Sequence, residues 1–236
     1  MRKIFAFFIS TCLSTTAFSQ ISDSLLYPIG IRISVDLAGP LLHLYDPTSL
    51  TFEGKIDFDL NGNNAVALEG GYLDYTYSQY NYDYNCTGLY FRAGTDYNLL
   101  SPKKSGGKYF AGVGFRYGIA FFSQDVPWYK YENAWGIVEG AIEPHRVTGH
   151  FVEVSPGMRA EIFKNVSMGW RIRLAKLIYQ SSPESVRPVV VPGIGSISSS
   201  ISYGFSYYLT VNIPYGKKMI YIKEKRITEN TDPIKE

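Results

Sequence analysis

The chain has three histidines, His43, His145 and His150, the residue type that serves most readily as a general base near neutral pH. Nucleophilic catalysis would need one of them within reach of a hydroxyl such as Ser123 and of an orienting carboxylate. The nearest carboxylates in sequence are Asp46 beside His43, and Asp125 and Glu143 around His145. No spacing among these residues matches a Ser-His-Asp relay or a His-x-Ser pattern, so the expected role is that of solvent-exposed loop histidines, with no catalytic residue assigned. Metal chemistry has less support, because no His or Cys cluster has ligand spacing. Asp57 and Asp59 share one strand face and could hold a cation, but pairing with nearby bases is the simpler reading. No metal and no cofactor are expected. Cys86 is a lone thiol in a predicted loop, read as inert, with oxidative dimerisation as the alternative.

The stronger chemical pattern is charge repeated at every second residue. Between Ile29 and Leu37, the odd positions Ile29, Ile31, Ile33, Val35 and Leu37 are aliphatic, and the even positions hold Gly30, Arg32, Ser34 and Asp36. Period-two alternation marks a strand with two unlike faces, and it recurs about eight times. The predicted strands are 29–37, 50–60, 65–75, 88–99, 108–122, 150–162, 166–175 and 197–213. One face collects Arg32, Asp36, Glu53, Lys55, Asp57, Asp59, Glu69, Arg92, Asp96, Arg116, Glu153, Arg159, Glu161, Arg171 and Arg173. The opposite face, with Phe52, Ile56, Phe58, Leu68, Phe91, Val113, Phe115, Val154, Trp170, Ile172, Tyr203, Phe205 and Leu209, carries no charge.

Short connections alternate with long ones. The turns Asn61-Gly62-Asn63-Asn64 and Phe163-Lys164-Asn165 and the segment 101–107 are short, whereas 38–49, 76–87, 123–149 and 176–196 are long. An even strand count with turns on one rim and loops on the other is the pattern of a membrane-spanning β-barrel. A soluble lipocalin-like barrel would alternate equally well with its apolar face inward. The loop rhythm, the 16% aromatic content, the glycines among the charges and the near balance of acids and bases favour the membrane sense. On a lipid face each Arg or Lys would cost about 2–4 kcal/mol at the midplane, whereas inside a lumen it can pair. The predicted fold is therefore all-β, an eight-stranded antiparallel up-and-down transmembrane barrel. Ten strands, with a hairpin hidden in the third loop, and a soluble barrel are the alternatives.

Arg2 and Lys3, the apolar run Ile4 to Leu13 and the small-residue site at Ala17-Phe18-Ser19 have the three parts of a secretory signal peptide. The expected organisation is 1–19 signal peptide, 20–28 periplasmic N-terminal segment, 29–215 barrel and 216–236 charged periplasmic tail. Removal of the signal takes away Arg2 and Lys3 and leaves basic and acidic residues equal in number, so there is no electrostatic footprint for nucleic acid. It also removes Cys12, leaving Cys86 with no partner for an intrachain disulfide.

The segment Ser202-Tyr203-Gly204-Phe205-Ser206-Tyr207-Tyr208-Leu209 resembles the terminal strand of outer-membrane barrels, with Ser202, Gly204, Tyr207 and Leu209 at the matching positions. The segments Val154 to Arg159 and Ala93 to Asn98 also resemble strands of such proteins. The likeness covers nearly the whole mature chain and is closest to small barrels of OmpA/OmpX/OmpW-like shape. It implies residence in the outer membrane of a Gram-negative type cell, lipid contact, and recognition of the last strand by the barrel-assembly machinery. The chain departs from the pattern by continuing past an aromatic end. Pro156 lacks the N–H a closed barrel needs, so a bulge is expected there, with Gly157 helping. The resemblance also brings in lipid-modifying enzymes as a low alternative.

Eight strands enclose a space that side chains just fill. The functional expectation is a lumen plugged by salt bridges that anchors aromatic outer loops, for envelope structure or surface interaction. A narrow channel or transporter for a small solute is the runner-up. The tyrosines around the second loop, Tyr75, Tyr77, Tyr80, Tyr82, Tyr84 and Tyr90, read as an interfacial girdle with a protruding hairpin, or as a recognition surface. The recognition candidates are Tyr80, Tyr82 and Tyr84, and in the third loop Trp128, Tyr129 and Trp135, offered to an extracellular ligand.

Overall fold

Alternating sequence becomes a closed wall in the computed structural model, which describes residues 23–181, 187–197 and 201–222. The expected signal peptide 1–19, Cys12 and the tail beyond residue 222 lie outside the described residues. The barrel body, Leu26–Ile220, is one compact unit.

Its elements in order are β1 (Asp23–Asp36), α1 (Ala38–Tyr45), β2 (Ser49–Asp59), β3 (Asn64–Gln79), β4 (Tyr82–Asn98), the helical turn α2 (Pro102–Ser105), β5 (Tyr109–Asn133), β6 (Gly136–Phe163), β7 (Val166–Gln180), β8 (Val190–Val191), β9 (Gly195–Ser196) and β10 (Ser202–Ile222). Eight strands close in the order β1-β10-β7-β6-β5-β4-β3-β2, and β8 with β9 forms a separate two-stranded hairpin. The barrel ladders are antiparallel between strands that follow one another along the chain, with the β8–β9 hairpin interposed between β7 and β10, the up-and-down arrangement. At the seam where β1 meets β10, Ser34 and Thr210 share a hydroxyl hydrogen bond of 2.8 Å and Leu37 N–H donates to Tyr207 O at 2.8 Å.

The short connections need unusual backbone. Gly62 sits at φ +79° between β2 and β3, and Asn165 at φ +64° in the two-residue turn between β6 and β7. Glycine and asparagine reach that left-handed region most cheaply. The long connections differ from the loops expected. The second is a hairpin with only Tyr80-Asn81 at its tip, because the β3–β4 ladder continues to the pair Gln79 and Tyr82. The third is a continuation of β5 and β6 to the pair Asn133 and Gly136, so the barrel keeps eight strands. The first contains α1, which the sequence reading lacks. β1 begins at Asp23, inside the expected N-terminal segment, and β10 runs to Ile222, past the expected barrel end at 215.

Pro156 is a correction. It faces Val113 of β5 in unbroken register, and the β6–β7 ladder holds the same register on either side, from Val154 with Leu174 to Gly157 with Arg171. There is no bulge. The missing N–H is absorbed by an interrupted ladder on the β7 side, and the register shifts of β6 against β7 lie at His150/Phe151 and Glu161/Phe163.

The faces sort as expected. Phe52, Ile56, Leu68, Phe91, Phe115, Trp170, Ile172 and Phe205 are exposed on the outer wall, while Arg92, Asp96, Arg116 and Glu153 are buried within. The interior is crowded enough that glycine marks close approach: a Cβ on Gly118 would lie 2.2 Å from the Phe151 ring. Gly118→Val is expected to destabilise the barrel by about 1–3 kcal/mol, the usual range for overpacking, read as an earlier urea midpoint with an unchanged slope.

Candidate functional site

Cross-strand register decides what each inward charge meets. Arg92 on β4 stands between Glu69 on β3 and Gly118 on β5, and Arg116 on β5 between Gly94 on β4 and Glu153 on β6. Arg171 lies between Gly157 and Ser206, and Arg173 opposite Gly204. A long side chain therefore finds an opposite charge or a small residue beside it on the ladder, which is how bulky ions fit inside a narrow barrel.

The resulting network has two centres. In the middle of the lumen Arg92 contacts three carboxylates: Glu53, Glu69 at 2.8 Å and Glu153 at 2.6 Å. Glu53 also takes Arg173 at 2.9 Å and accepts hydroxyl hydrogen bonds from Tyr90 at 2.6 Å and from Tyr208. Toward the turn rim, Asp96 accepts from Arg171 at 2.8 Å, Arg116 at 2.7 Å and Lys55 at 3.1 Å. Arg116 bridges the centres by donating to Glu69 at 2.9 Å. Arg32 pairs with Asp59 and lies 3.7 Å from Asp57, which Lys55 approaches to 3.0 Å. Asp57 and Asp59, weighed from sequence as cation ligands, are thus engaged by bases. Among the described residues no group of three or more His, Cys, Asp or Glu is placed to hold a metal ion.

Three of the fifteen expected lumen charges stand apart from this network. Asp36 is a cap at the long-connection rim, accepting the backbone N–H groups of Ala38 and Tyr207, both at 2.9 Å. Glu161 sits at the turn rim, 3.9 Å from Lys108. Arg159 has no ion pair or hydrogen bond among the described residues, and its buried Nε has no partner.

Above the ion network the lumen becomes apolar. Leu73, Tyr84, Cys86, Phe122, Val126, Val147 and Phe151 from the barrel wall pack with Val190, Val191 and Ile194 from the β8–β9 hairpin. The fourth long connection thus turns into the barrel mouth, where Pro192 is fully buried and Gly193, at φ +83°, lies against Tyr90 and Phe151. By its place in the sequence this segment reads as an outer loop. Its signal was the apolar run Val189-Val190-Val191 with Ile194, unusual in a solvent-facing connection.

Tyr84 and Cys86 are therefore corrections. Tyr84 is 1% exposed, points inward and donates to Gln124 Oε1 at 3.0 Å, so it is removed from the recognition candidates. Cys86 is fully buried, 3.5 Å from Val190 O, which excludes the oxidative-dimer reading for the folded barrel. Tyr82 and Tyr129 pack partly against the same cluster. Tyr80 and Trp135 at the hairpin tips remain 98% and 96% exposed, with Trp128 half-buried. Parallel ring pairs, Tyr75 with Tyr77 and Tyr82 with Tyr84 at 6.5 and 6.2 Å, stiffen the first hairpin, and Tyr129 with Tyr131 at 6.2 Å the second.

The histidines do not meet the residues proposed for a relay. His43 Nδ1 lies 3.0 Å from Ser49 O, and Asp46 instead accepts from Thr48 at 2.6 Å. His145 lies against Gln124 at 2.9 Å and Glu143 O at 3.2 Å, while Ser123 Oγ reaches only the His145 carbonyl and Asp125 accepts from Asn85. His150 Nδ1 is 2.7 Å from the Tyr117 hydroxyl on the outer wall.

The family model described as "Domain of unknown function (DUF6048)" matches residues 1–218, which take in nearly all of this barrel. The chain belongs to the DUF6048 family. No curated protein matches it. Among solved structures, the DUF6048 chain is similar to CarO2 of Acinetobacter baumannii at 12% identity, covering 81% of this chain and 100% of that one, with a TM-score of 0.35. Neisserial surface protein A (NspA) matches at 10% identity over 82% and 99%, with a TM-score of 0.36. The N-terminal β-barrel domain of Pseudomonas aeruginosa OprF matches at 12% over 81% and 100%, with a TM-score of 0.28. The architecture of the DUF6048 barrel rests on its own strand pairing, not on these superpositions.

Two outcomes follow from the site. Arg92→Met leaves Glu53, Glu69 and Glu153 without their shared cation and should cost about 3–5 kcal/mol, the usual penalty for breaking a buried pair, measured by urea unfolding. Cys86 in the folded protein should resist maleimide at pH 8 and react fully once unfolded, followed by the mass shift. Rapid labelling of the folded form would contradict the buried position.

Proposed function

We propose that this barrel spans an outer membrane, with a lumen closed by its ion-pair network and by the β8–β9 hairpin, and that it anchors a rigid aromatic end for envelope structure or surface interaction. The observation that carries the reading is the sidedness of the wall: exposed aromatic and aliphatic side chains outside, paired charges inside. A soluble barrel buries its apolar face, whereas this arrangement leaves the apolar face needing a non-aqueous neighbour. The turns at Gly62 and Asn165 would face the periplasm, and the hairpins bearing Tyr80 and Trp135 the outside. Export would use the N-terminal signal, and the last strand, with Ser202, Gly204, Tyr207 and Leu209, would be read by the assembly machinery.

The role proposed is not enzymatic and uses no cofactor. The partners are outer-membrane lipid and a ligand at the exposed aromatic tips, where tyrosine and tryptophan give contact area at low entropy cost.

The folded protein should require detergent and migrate faster unboiled than boiled on a gel, and a detergent-free monomer would sink the membrane reading. In planar bilayers the wild-type chain should give no reproducible openings, while steady single-channel conductance would instead support the transporter. An unchanged lipid A profile after deletion of the gene is expected, and an altered one would reopen the lipid-modifying alternative.

A further inference from the structure

The turn-side half of the lumen contains a small cavity in which the charges do not balance. Four cations line it, Arg32, Lys55, Arg159 and Arg171. The acids serving it are Asp57, Asp59 and Asp96, and each is already engaged: Asp59 by Arg32, Asp57 by Lys55 at 3.0 Å with Arg32 at 3.7 Å, and Asp96 by Arg171 at 2.8 Å. Arg116, which also touches Asp96, has its own carboxylate in Glu69 at 2.9 Å. One positive charge is left over, on Arg159, whose buried Nε has no partner and which makes no ion pair among the described residues.

We propose that this chamber binds a single small anion of the chloride class, held by Arg159. A cation whose Nε is buried without a hydrogen-bond partner, and which has no counter-ion of its own, is costly, and a water dipole cannot neutralise it. Charge selects the class of anion: one positive charge is in excess, so a monovalent halide neutralises the chamber, whereas a phosphate or sulfate dianion would leave it with a net negative charge. The register provides the space. Arg159 pairs across the ladder with Gly169, where a Cβ would come within 2.8 Å of the Arg159 Cβ. An adjoining cavity shares Arg32 and Arg159 and is also lined by Tyr27, Gly62 and Asn63 at the turn rim, the side from which an ion would enter. The site depends on the lumen alone and stands whether or not the outer wall meets lipid.

The test uses the full chain folded in detergent and crystallised with sodium bromide. An anomalous bromide peak is expected inside the barrel in contact with Arg159, and it should vanish in Arg159→Met. In solution, the wild-type unfolding midpoint should rise in sodium chloride or bromide relative to gluconate at equal ionic strength, saturate with concentration, and fail to rise in sodium phosphate. Arg159→Met should lose the halide response. No bromide peak in the lumen, equal midpoints in chloride and gluconate, a matching rise in phosphate, or an unaltered response in Arg159→Met would each overturn the proposal. Should Arg159→Met not fold, the wild-type anion series decides by itself.

Discussion

Everything in this molecule depends on closing eight strands around a narrow space that side chains nearly fill. With the apolar residues on the outer wall, the ionic residues are confined inside, where a lone charge cannot borrow water. Each must find a neighbour of opposite sign across the ladder or through the lumen. Arg92 with three carboxylates and Asp96 with three cations are the outcome. The glycines opposite the arginines are the same constraint expressed as volume. Where the pairing stops, at Arg159, the imbalance becomes chemically interesting.

The lumen is layered along its axis. The turn-side half carries Arg32, Lys55, Asp57, Asp96, Arg159 and Arg171, the middle carries the Arg92 centre with Tyr90 and Tyr208, and the long-connection side is apolar. The β8–β9 hairpin supplies the last layer by folding back against Tyr90 and Phe151. Above it, β3–β4 and β5–β6 continue as stacked-tyrosine hairpins that hold Tyr80 and Trp135 in solvent. These tips sit on regular ladders and not on irregular loops, so their spacing is set by strand geometry and little entropy remains to be lost on contact.

Much of this was legible in the sequence because a strand writes its two faces directly into residue order. All eight barrel strands overlap the runs read from alternation, and the charges of Glu53 to Arg173 lie on the inner face as the parity count placed them. Alternation is silent about where a hairpin ends once both faces turn polar or aromatic, which is why β3 to β6 run far beyond the expected edges. α1 escaped because eight residues with four exposed apolar side chains, Leu41, Leu42, Leu44 and Tyr45, have no helical stripe to read. Pro156 misled because the missing hydrogen bond was assigned to a bulge, whereas the ladder tolerates a local gap without changing register.

The sequence by itself determined the period of two, the segregation of charge from apolar residues and the turns at Gly62 and Asn165, since each is a property of residues adjacent along the chain. Only the tertiary structure decided that the third long connection adds no strand to the eight, which acid meets which base, that Val190 to Ile194 enter the barrel mouth, that Tyr84 and Cys86 point inward beneath it, and that Arg159 has no ion pair among the described residues. Those facts depend on register between strands and on side chains meeting across the lumen, such as Glu53 and Arg173 from β2 and β7. Distances of that kind are set when the barrel closes, and no local pattern encodes them.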